Sequence, residues 1–395
     1  MRFRSAPAWC VALVAAWLAG GCYRSHQRVD GGPVRDAGGP EDAGDLALRP
    51  LDLLLVINDS ISMAEEQANL ARELPSIIGI LLSGDFDRDG DGFGDGEPGD
   101  EDFRPVDAMN VAVVTTDMGS GGFMVGGCPV RELGDDGLFR TRGADAPGCT
   151  TVYPGFLRYR GGDADAFQRS VACVAQTGNA GCGIEQPFEA ALKALSPAAP
   201  TSWTRPGYTA PTFLDGVGHG DGENDRFMHE NGILAILLVS DDDDCSVRDP
   251  SLFDGHDMRY ATSVNLRCVV NEDPLLQPIQ RYVDGFLQLR GDPSLVVFSA
   301  VVGVPRDLAP TGSERTDYDG IHADARMQRV VDPMTRTDVI PSCDEPGTGL
   351  AYPPVRTLEL AREIEARGGG SRVASICGSS FAPALLPVIE RLARF

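Results

Sequence analysis

The 395-residue sequence is almost without lysine, and Lys193 is the only one. Lys193 is not part of a Walker A phosphate-binding loop, which requires a lysine, so that motif is excluded. Schiff-base catalysis would have to rely on this single residue. The sequence also has no C-x-x-C pair, no G-x-S-x-G nucleophile motif and no H-E-x-x-H metal motif. The usual signatures of redox thiols, serine hydrolases and zinc peptidases are therefore missing.

Basic charge is scarce as a whole. The sequence has 58 acidic residues and 34 basic ones, which gives a formal net charge of −24. Proteins that bind nucleic acid neutralise phosphates with clustered lysine and arginine, so this balance excludes nucleic acid as a partner. Because 42% of the residues are hydrophobic, the chain can still bury a core, and an acidic globular protein is expected.

The first 22 residues have the pattern of an export signal. Arg2 and Arg4 precede an apolar run at 9–18, and small residues lead from this run to Cys22. The run is shorter than the roughly 20 residues that span a bilayer. Small residues before a cysteine resemble the signal of a bacterial lipoprotein. We expect a signal peptide at 1–21 and a lipid on Cys22, with an ordinary cleaved signal as the alternative.

Residues 22–49 are rich in Gly, Asp, Arg and Pro and contain few large apolar side chains. Such a composition cannot bury enough apolar surface to fold, so it predicts a flexible tether to a folded domain at 50–395. Tyr23 rather than aspartate follows the cysteine, which favours the outer membrane by analogy with the sorting rule of enteric bacteria. The protein is therefore expected in the bacterial cell envelope, anchored by lipid.

From residue 51 onward, short apolar runs alternate with amphipathic stretches. The first run, at 53–57, is continuously apolar, as in a strand that is covered on both faces. The next stretch has helical spacing, with Ser62 as the expected N-cap and a kink expected at Pro75. Further strands are expected at 111–114, 233–239, 295–302 and 373–376, and further helices at 188–195, 279–289, 358–366 and 381–392.

This alternation predicts an α/β fold with a mainly parallel, Rossmann-like sheet flanked by helices. Long Gly- and Pro-rich segments interrupt it, and they exceed the usual length of connections in a compact domain. These insertions lie at 84–105, 118–165, 197–231 and 304–350.

Eight cysteines fall within the predicted domain, an even number that indicates disulfides in an exported chain. The alternative, a metal site or a catalytic thiol, has no accompanying His/Cys cluster. Pairing between sequence neighbours, which short loops favour, would join Cys128 to Cys149, Cys173 to Cys182, Cys245 to Cys268 and Cys343 to Cys377.

Polar side chains follow two of the expected strands. The sequence after the first strand is Asn-Asp-Ser-Ile-Ser-Met at 58–63, and Ser-Asp-Asp-Asp-Asp-Cys-Ser follows the strand that ends at 239. Parallel strands end at one edge of a sheet, so these oxygen-rich turns are expected to meet there. Hydroxyl and carboxylate oxygens are ligands of hard divalent cations. The sequence therefore predicts a site for Mg²⁺ or Ca²⁺.

This layout resembles a von Willebrand factor type A (vWA) domain, and the cysteines make it similar to a subgroup found in bacterial lipoproteins. In that family, a first-loop D-x-S-x-S, a second-loop Thr and a third-loop Asp form an adhesion-type metal site. The resemblance places Asn58, Ser60 and Ser62 in the first loop, although Asn58 replaces the Asp. It places Glu185 or Gln186 near the second-loop position, where a Thr is not evident, and Asp241 in the third loop. It implies a protein partner whose acidic side chain completes the metal shell.

A second acidic element occupies 85–102, where nine acidic residues accompany one basic residue. From residue 87 it reads D-x-D-x-D-G-x-x-D, a spacing that wraps carboxylates around one calcium ion. It resembles the aspartate-rich loops of thrombospondin type 3 repeats, and the alternative is a solvated linker. The candidate calcium ligands are Asp87, Asp89, Asp91 and Asp95.

Two other functions remain open on this scaffold. A structural lipoprotein with a degenerate, metal-free site is favoured by the Asn58 substitution. A hydrolase would need catalytic groups, and the best candidates are His219 and His229 with the neighbouring acids Asp221, Glu223 and Asp225. A solvated loop is the simpler interpretation of that cluster, and no enzyme activity is expected.

Overall fold

A six-stranded sheet forms the centre of the domain. The computed structural model describes residues 50–86, 102–128, 132–214, 216–260 and 263–394. The strand order is β3-β2-β1-β4-β5-β8, in which only the edge strand β3 runs antiparallel to its neighbour. The strands are β1 (Leu51–Ile57), β2 (Met109–Thr115), β3 (Phe156–Tyr159), β4 (Ile233–Val239), β5 (Val296–Val302) and β8 (Gly370–Ser375).

Both faces of this sheet are covered, as the continuous apolar runs predict. Leu53, Leu55 and Ile57 of β1 pack into one core, whereas Leu54 and Val56 pack into the core on the opposite face. This division follows from the two-residue period of a strand, which points successive side chains to opposite faces. The four parallel neighbours in the middle of the sheet are buried along their whole length.

Helices supply the two covering layers. They are α1 (Ala64–Ser83), α2 (Ala164–Ala175), α3 (Pro187–Leu195), α4 (Val264–Val270), α5 (Glu272–Leu275), α6 (Ile279–Leu287), α7 (Tyr318–Ala323), α8 (Val355–Ala366) and α9 (Leu386–Leu392). A small hairpin, β6 (Cys343–Glu345) with β7 (Gly349–Ala351), lies outside the main sheet. No described helix combines the length and the apolar character needed to span a membrane.

The α/β class, the mainly parallel sheet and the flanking helices are confirmed. The expected helix at 381–392 is a 3-10 turn at Ala382–Leu385 followed by α9. Ser62 is not the N-cap of α1, because it lies inside the 3-10 turn Ile61–Met63 that precedes that helix. Helix α1 continues through Pro75.

The expectation of four disulfides among the eight cysteines is confirmed in the described residues, but two of the expected pairs are wrong. The bonds join Cys128 to Cys182, Cys149 to Cys173, Cys245 to Cys268 and Cys343 to Cys377.

Backbone pairing between distant segments explains the two wrong pairs. The amide of Ala144 donates to the carbonyl of Cys173 at 2.8 Å, which brings the 143–150 loop to the end of α2. The amide of Gly183 donates to the carbonyl of Gly127 at 3.1 Å, which brings the turn before α3 to residue 128. Tertiary contacts therefore outweighed the preference for short loops. Short-loop preference is a weak guide wherever a long insertion folds back on itself.

Several predictions fall on residues that the structure does not describe. The signal peptide at 1–21, the tether at 22–49 and the lipidated Cys22 lie outside the described residues. The candidate calcium ligands Asp87, Asp89, Asp91 and Asp95 do as well.

Candidate cation site

The turns that follow β1 and β4 meet at the carboxyl edge of the sheet. These strands are paired in register, with Ile57 opposite Val239, so the residues after them lie side by side. The Asn58 side-chain amide donates to Asp241 Oδ1 at 2.7 Å, and the Asn58 side-chain oxygen accepts the backbone N–H of Ser60 at 2.8 Å. The register of the sheet thus fixes the contact between two segments that are far apart in sequence.

Two serine hydroxyls complete the floor of the site. Ser60 Oγ and Ser62 Oγ lie 2.8 Å apart at the 3-10 turn before α1. Ser60 lies beside the carboxylate of Glu185, and Ser62 lies beside the carboxylate of Asp241. The structure therefore brings the five residues of the predicted cation site together.

Glu185 reaches the site from the turn before α3. Its carbonyl accepts the backbone N–H of Cys245 at 2.8 Å, so the turns before α3 and after β4 are tied together. The disulfide from Cys182 to Cys128 anchors the same turn. Glu185 is 5% exposed.

The two carboxylates of the site are buried and incompletely satisfied. Among the described residues, Glu185 Oε1 and Asp241 Oδ2 have no hydrogen-bond partner. Burial, and then the nearby charge of Asp241, raise the pKa of Glu185 to about 8. Burial raises the pKa of Asp241 to about 6. Each shift shows that this environment disfavours a negative charge in the absence of a compensating cation.

This donor set fits a hard divalent cation. It offers two carboxylates and two hydroxyls, all oxygen ligands of the kind that Mg²⁺ and Ca²⁺ prefer. In the part of the chain that the structure describes, no three His, Cys, Asp or Glu side chains are grouped as a metal site by themselves. A cation would therefore depend on the hydroxyls of Ser60 and Ser62 as well as on the carboxylates of Glu185 and Asp241.

Asn58, which the sequence analysis places among the cation ligands, forms hydrogen bonds within the protein. Its side-chain nitrogen faces Asp241 and its side-chain oxygen faces the amide of Ser60, so both ends of the side chain are engaged. If the side-chain amide were reversed, its oxygen would face the carboxylate of Asp241 and its NH₂ group would face the backbone N–H of Ser60. Asn58 thus orients Asp241 and the first turn, and its oxygen is used within the protein.

The four consecutive aspartates are divided between two environments. Asp243 Oδ2 lies 2.6 Å from Arg329, and Asp244 Oδ2 lies 3.0 Å from Arg356. These ion pairs are buried or half-buried, and the one with Arg356 holds α8 against the turn after β4. These pairs could not be predicted from the sequence, because both arginines are more than 80 residues further along the chain. Arginine side chains therefore relieve the repulsion between the aspartates in the second half of this run.

A second acidic group lies on the β2 side of the site. Burial, and then the charges of Asp117 and Asp135, raise the pKa of Asp59 to about 7. Asp117 accepts the backbone N–H of Gly119 at 2.8 Å, and the charge of Arg140 favours the ionised form of Asp59. This group already includes a protein cation, unlike the pair of carboxylates at the candidate site.

The two histidines of the expected catalytic cluster belong to different networks. His219 Nε2 lies 3.1 Å from Asp136 Oδ2. His229 Nδ1 lies 2.5 Å from Asp52 Oδ1, and its Nε2 lies 2.8 Å from the guanidinium of Arg160. Asp52 stands at the start of β1, at the opposite end of that strand from the candidate cation site. The histidines therefore do not combine into one set of catalytic groups.

Comparison with known proteins adds no relative to this picture. A scan against models of protein families gives no match, and a search of curated proteins finds no matching sequence.

Proposed function

We propose that the domain binds a partner protein through a divalent cation held at the carboxyl edge of its sheet, and that it belongs to a lipid-anchored protein of the bacterial envelope, in the outer membrane. One observation carries the proposal. Glu185 Oε1 and Asp241 Oδ2 are buried oxygens without a hydrogen-bond partner among the described residues, and both carboxylates lie beside the paired hydroxyls of Ser60 and Ser62.

The residues of the site have two roles, cation binding and orientation of a ligand. Ser60, Ser62, Glu185 and Asp241 hold Mg²⁺ or Ca²⁺ directly or through water, while Asn58 orients the aspartate. The cation supplies the positive charge that the two buried carboxylates lack, and it attracts an oxygen of the partner. An acidic side chain of the partner protein completes the shell, as the vWA resemblance implies. A site at the carboxyl edge of a mostly parallel sheet supports this resemblance.

A pull-down from the native envelope tests the proposal. The full chain is immobilised and exposed to solubilised envelope proteins with Mg²⁺, with Ca²⁺ or with a chelator. We expect a partner that is retained by the wild type with a cation and released by the chelator. The Asp241→Ala variant should retain none of it. The matched control is Asp319→Asn, which removes one charge from a side chain that is 88% exposed.

A structural role without a cation is the second candidate. It is favoured by the hydrogen bond from Asn58 to Asp241, which satisfies one carboxylate oxygen with a neutral group instead of an ion. In that case, retention of envelope proteins would not depend on cations, and Asp241→Ala would retain what the wild type retains. Either result contradicts the cation-dependent proposal.

A further inference from the structure

A cavity of about 350 Å³ begins at the candidate cation site and extends away from it. Ser60, Ser62 and Glu185 line one end of this cavity. Apolar side chains line much of the rest, and they are Ile61, Ile184, Val264, Val269, Val339 and Pro353. A partner group that reaches the cation therefore brings its neighbouring atoms against an aliphatic wall.

The charges around this cavity do not cancel. Its lining includes five carboxylates and two guanidinium groups. Both guanidinium groups are already engaged, since Arg329 pairs with Asp243 and Arg356 pairs with Asp244. They also share Glu272, an additional carboxylate. The positive charges of both arginines are therefore balanced by these carboxylates and do not compensate the other acidic groups of the cavity.

Asp242 and Asp338 are the carboxylates that remain. Neither forms an ion pair within the described part of the chain, although Asp338 accepts hydrogen bonds from Asn265 at 2.6 Å and from Thr337 at 3.0 Å. Both line this cavity, and the charge of Asp338 acts on the carboxylate of Asp242. A divalent cation compensates Glu185 and Asp241 but leaves these two uncompensated.

A second observation points to a ligand in this cavity. Glu185 lines it, is 5% exposed, and has a carboxylate oxygen that meets no donor in the described residues. A buried anion of this kind is costly unless a positive group faces it. The cavity thus combines an anionic end, an aliphatic wall and a further pair of carboxylates.

On the basis of the proposed function, we propose that the partner inserts a basic side chain with a long aliphatic stem, lysine or arginine, into this cavity beside its acidic group. The stem packs along Ile184, Val264 and Val339, and the charged head pairs with Asp242 and Asp338. Lysine and arginine side chains combine an apolar stem with a charged head in this way. The partner segment is therefore zwitterionic, with its acid on the cation and its base on the aspartates.

Small carboxylates test this inference on the intact chain. The probes are 4-aminobutanoate, 6-aminohexanoate and hexanoate, titrated by NMR into protein that is saturated with Mg²⁺. Hexanoate has the stem and the carboxylate of 6-aminohexanoate but no ammonium group. We expect the best amino acid of the series to bind about 5- to 10-fold more tightly than hexanoate, the gain of a charge-assisted hydrogen bond in a half-buried site.

Two variants locate the effect. Asp242→Asn and Asp338→Asn keep the shape of the side chain and remove its charge, and each should lower the preference for the amino acid about 3-fold or more. The exposed control Asp319→Asn should leave the preference unchanged. Thermal unfolding of each variant and its binding of Mg²⁺ alone verify that the fold and the cation site are retained.

The outcomes separate this inference from the function on which it rests. Failure of the wild type to bind Mg²⁺ refutes the proposed function. If Mg²⁺ binds but hexanoate has the same affinity as both amino acids, the zwitterionic partner is refuted and the cation site is not. The same conclusion follows if Mg²⁺ binds and none of the probes does. A preference that survives both aspartate substitutions likewise refutes the assignment.

Discussion

Glu185→Gln should make the cation-free protein more stable at alkaline pH. The carboxyl of Glu185 is buried beside that of Asp241, and burial followed by this neighbouring charge raises its pKa from the ordinary 4.5 to about 8. A tenfold change in proton affinity corresponds to about 1.4 kcal/mol, so ionising this carboxyl in the folded protein costs up to about 5 kcal/mol. Glutamine removes the charge and keeps the shape.

The pH dependence of this effect has a definite sign. Because the folded-state pKa is the higher one, the cost is absent below about pH 4.5, grows as the pH rises, and is complete above about pH 8. The buried amide still lacks a partner, which costs about 1–3 kcal/mol. We therefore expect Glu185→Gln to gain about 2–4 kcal/mol at pH 8.5 with a chelator and to lose about 1–3 kcal/mol at pH 4.5, where only the cost of the buried amide remains.

Saturating Mg²⁺ should reverse this order. A ligand at 1,000 times its dissociation constant stabilises the folded state by about 4.1 kcal/mol, which exceeds the gain of about 2–4 kcal/mol from the substitution, and the variant has lost one ligand for the cation. Urea unfolding of both proteins at the two pH values, with chelator and with Mg²⁺, measures the four differences. A variant that is destabilised equally under all conditions would refute the reasoning, because Glu185 would then be an ordinary, satisfied structural residue.

Three further predictions concern the rest of the domain. Arg290→Met should cost about 3–5 kcal/mol in urea unfolding, because it leaves the fully buried Asp52 without its guanidinium partner at 2.6 Å; a loss below 1 kcal/mol would contradict this. The hydrogen bond to Asp136 raises the pKa of His219, so the protonated histidine stabilises the fold below about pH 6.5, and this stabilisation is lost as the pH rises through the folded-state pKa. His219→Gln should therefore lose more stability at pH 6 than at pH 9. Equal losses at the two pH values would contradict a contribution from this pair. Trypsin should leave the fragment 170–193 linked by disulfides to two other fragments in a non-reduced digest, whereas an internal loop in that fragment would contradict the observed pairing.

The strands and the meeting of the two polar turns could be predicted because local sequence determines them. A continuously apolar run such as 53–57 is stable only in a strand covered on both faces. Once β1 and β4 are neighbouring parallel strands, residues 58 and 241 must lie at the same edge of the sheet. That step requires no knowledge of how the long insertions fold.

The features that were missed depend on contacts between distant segments. The edge strand β3 is half-exposed and only four residues long, so its apolar pattern is weak. The pairing of Cys128 with Cys182 depends on how one insertion folds back on the turn before α3. Nothing in the sequence around Arg329 and Arg356 distinguishes them from surface arginines, and only packing brings them to the aspartates after β4.

Isothermal calorimetry of cation binding tests the central claim most directly. The wild type and Asp241→Ala are titrated with Mg²⁺, Mn²⁺ and Ca²⁺, and Asp319→Asn serves as the control for loss of an acidic side chain. The account predicts saturable heat for Mg²⁺ and Mn²⁺ in the wild type and the control, and its loss in Asp241→Ala. No heat in the wild type, or the same heat in all three proteins, would contradict it.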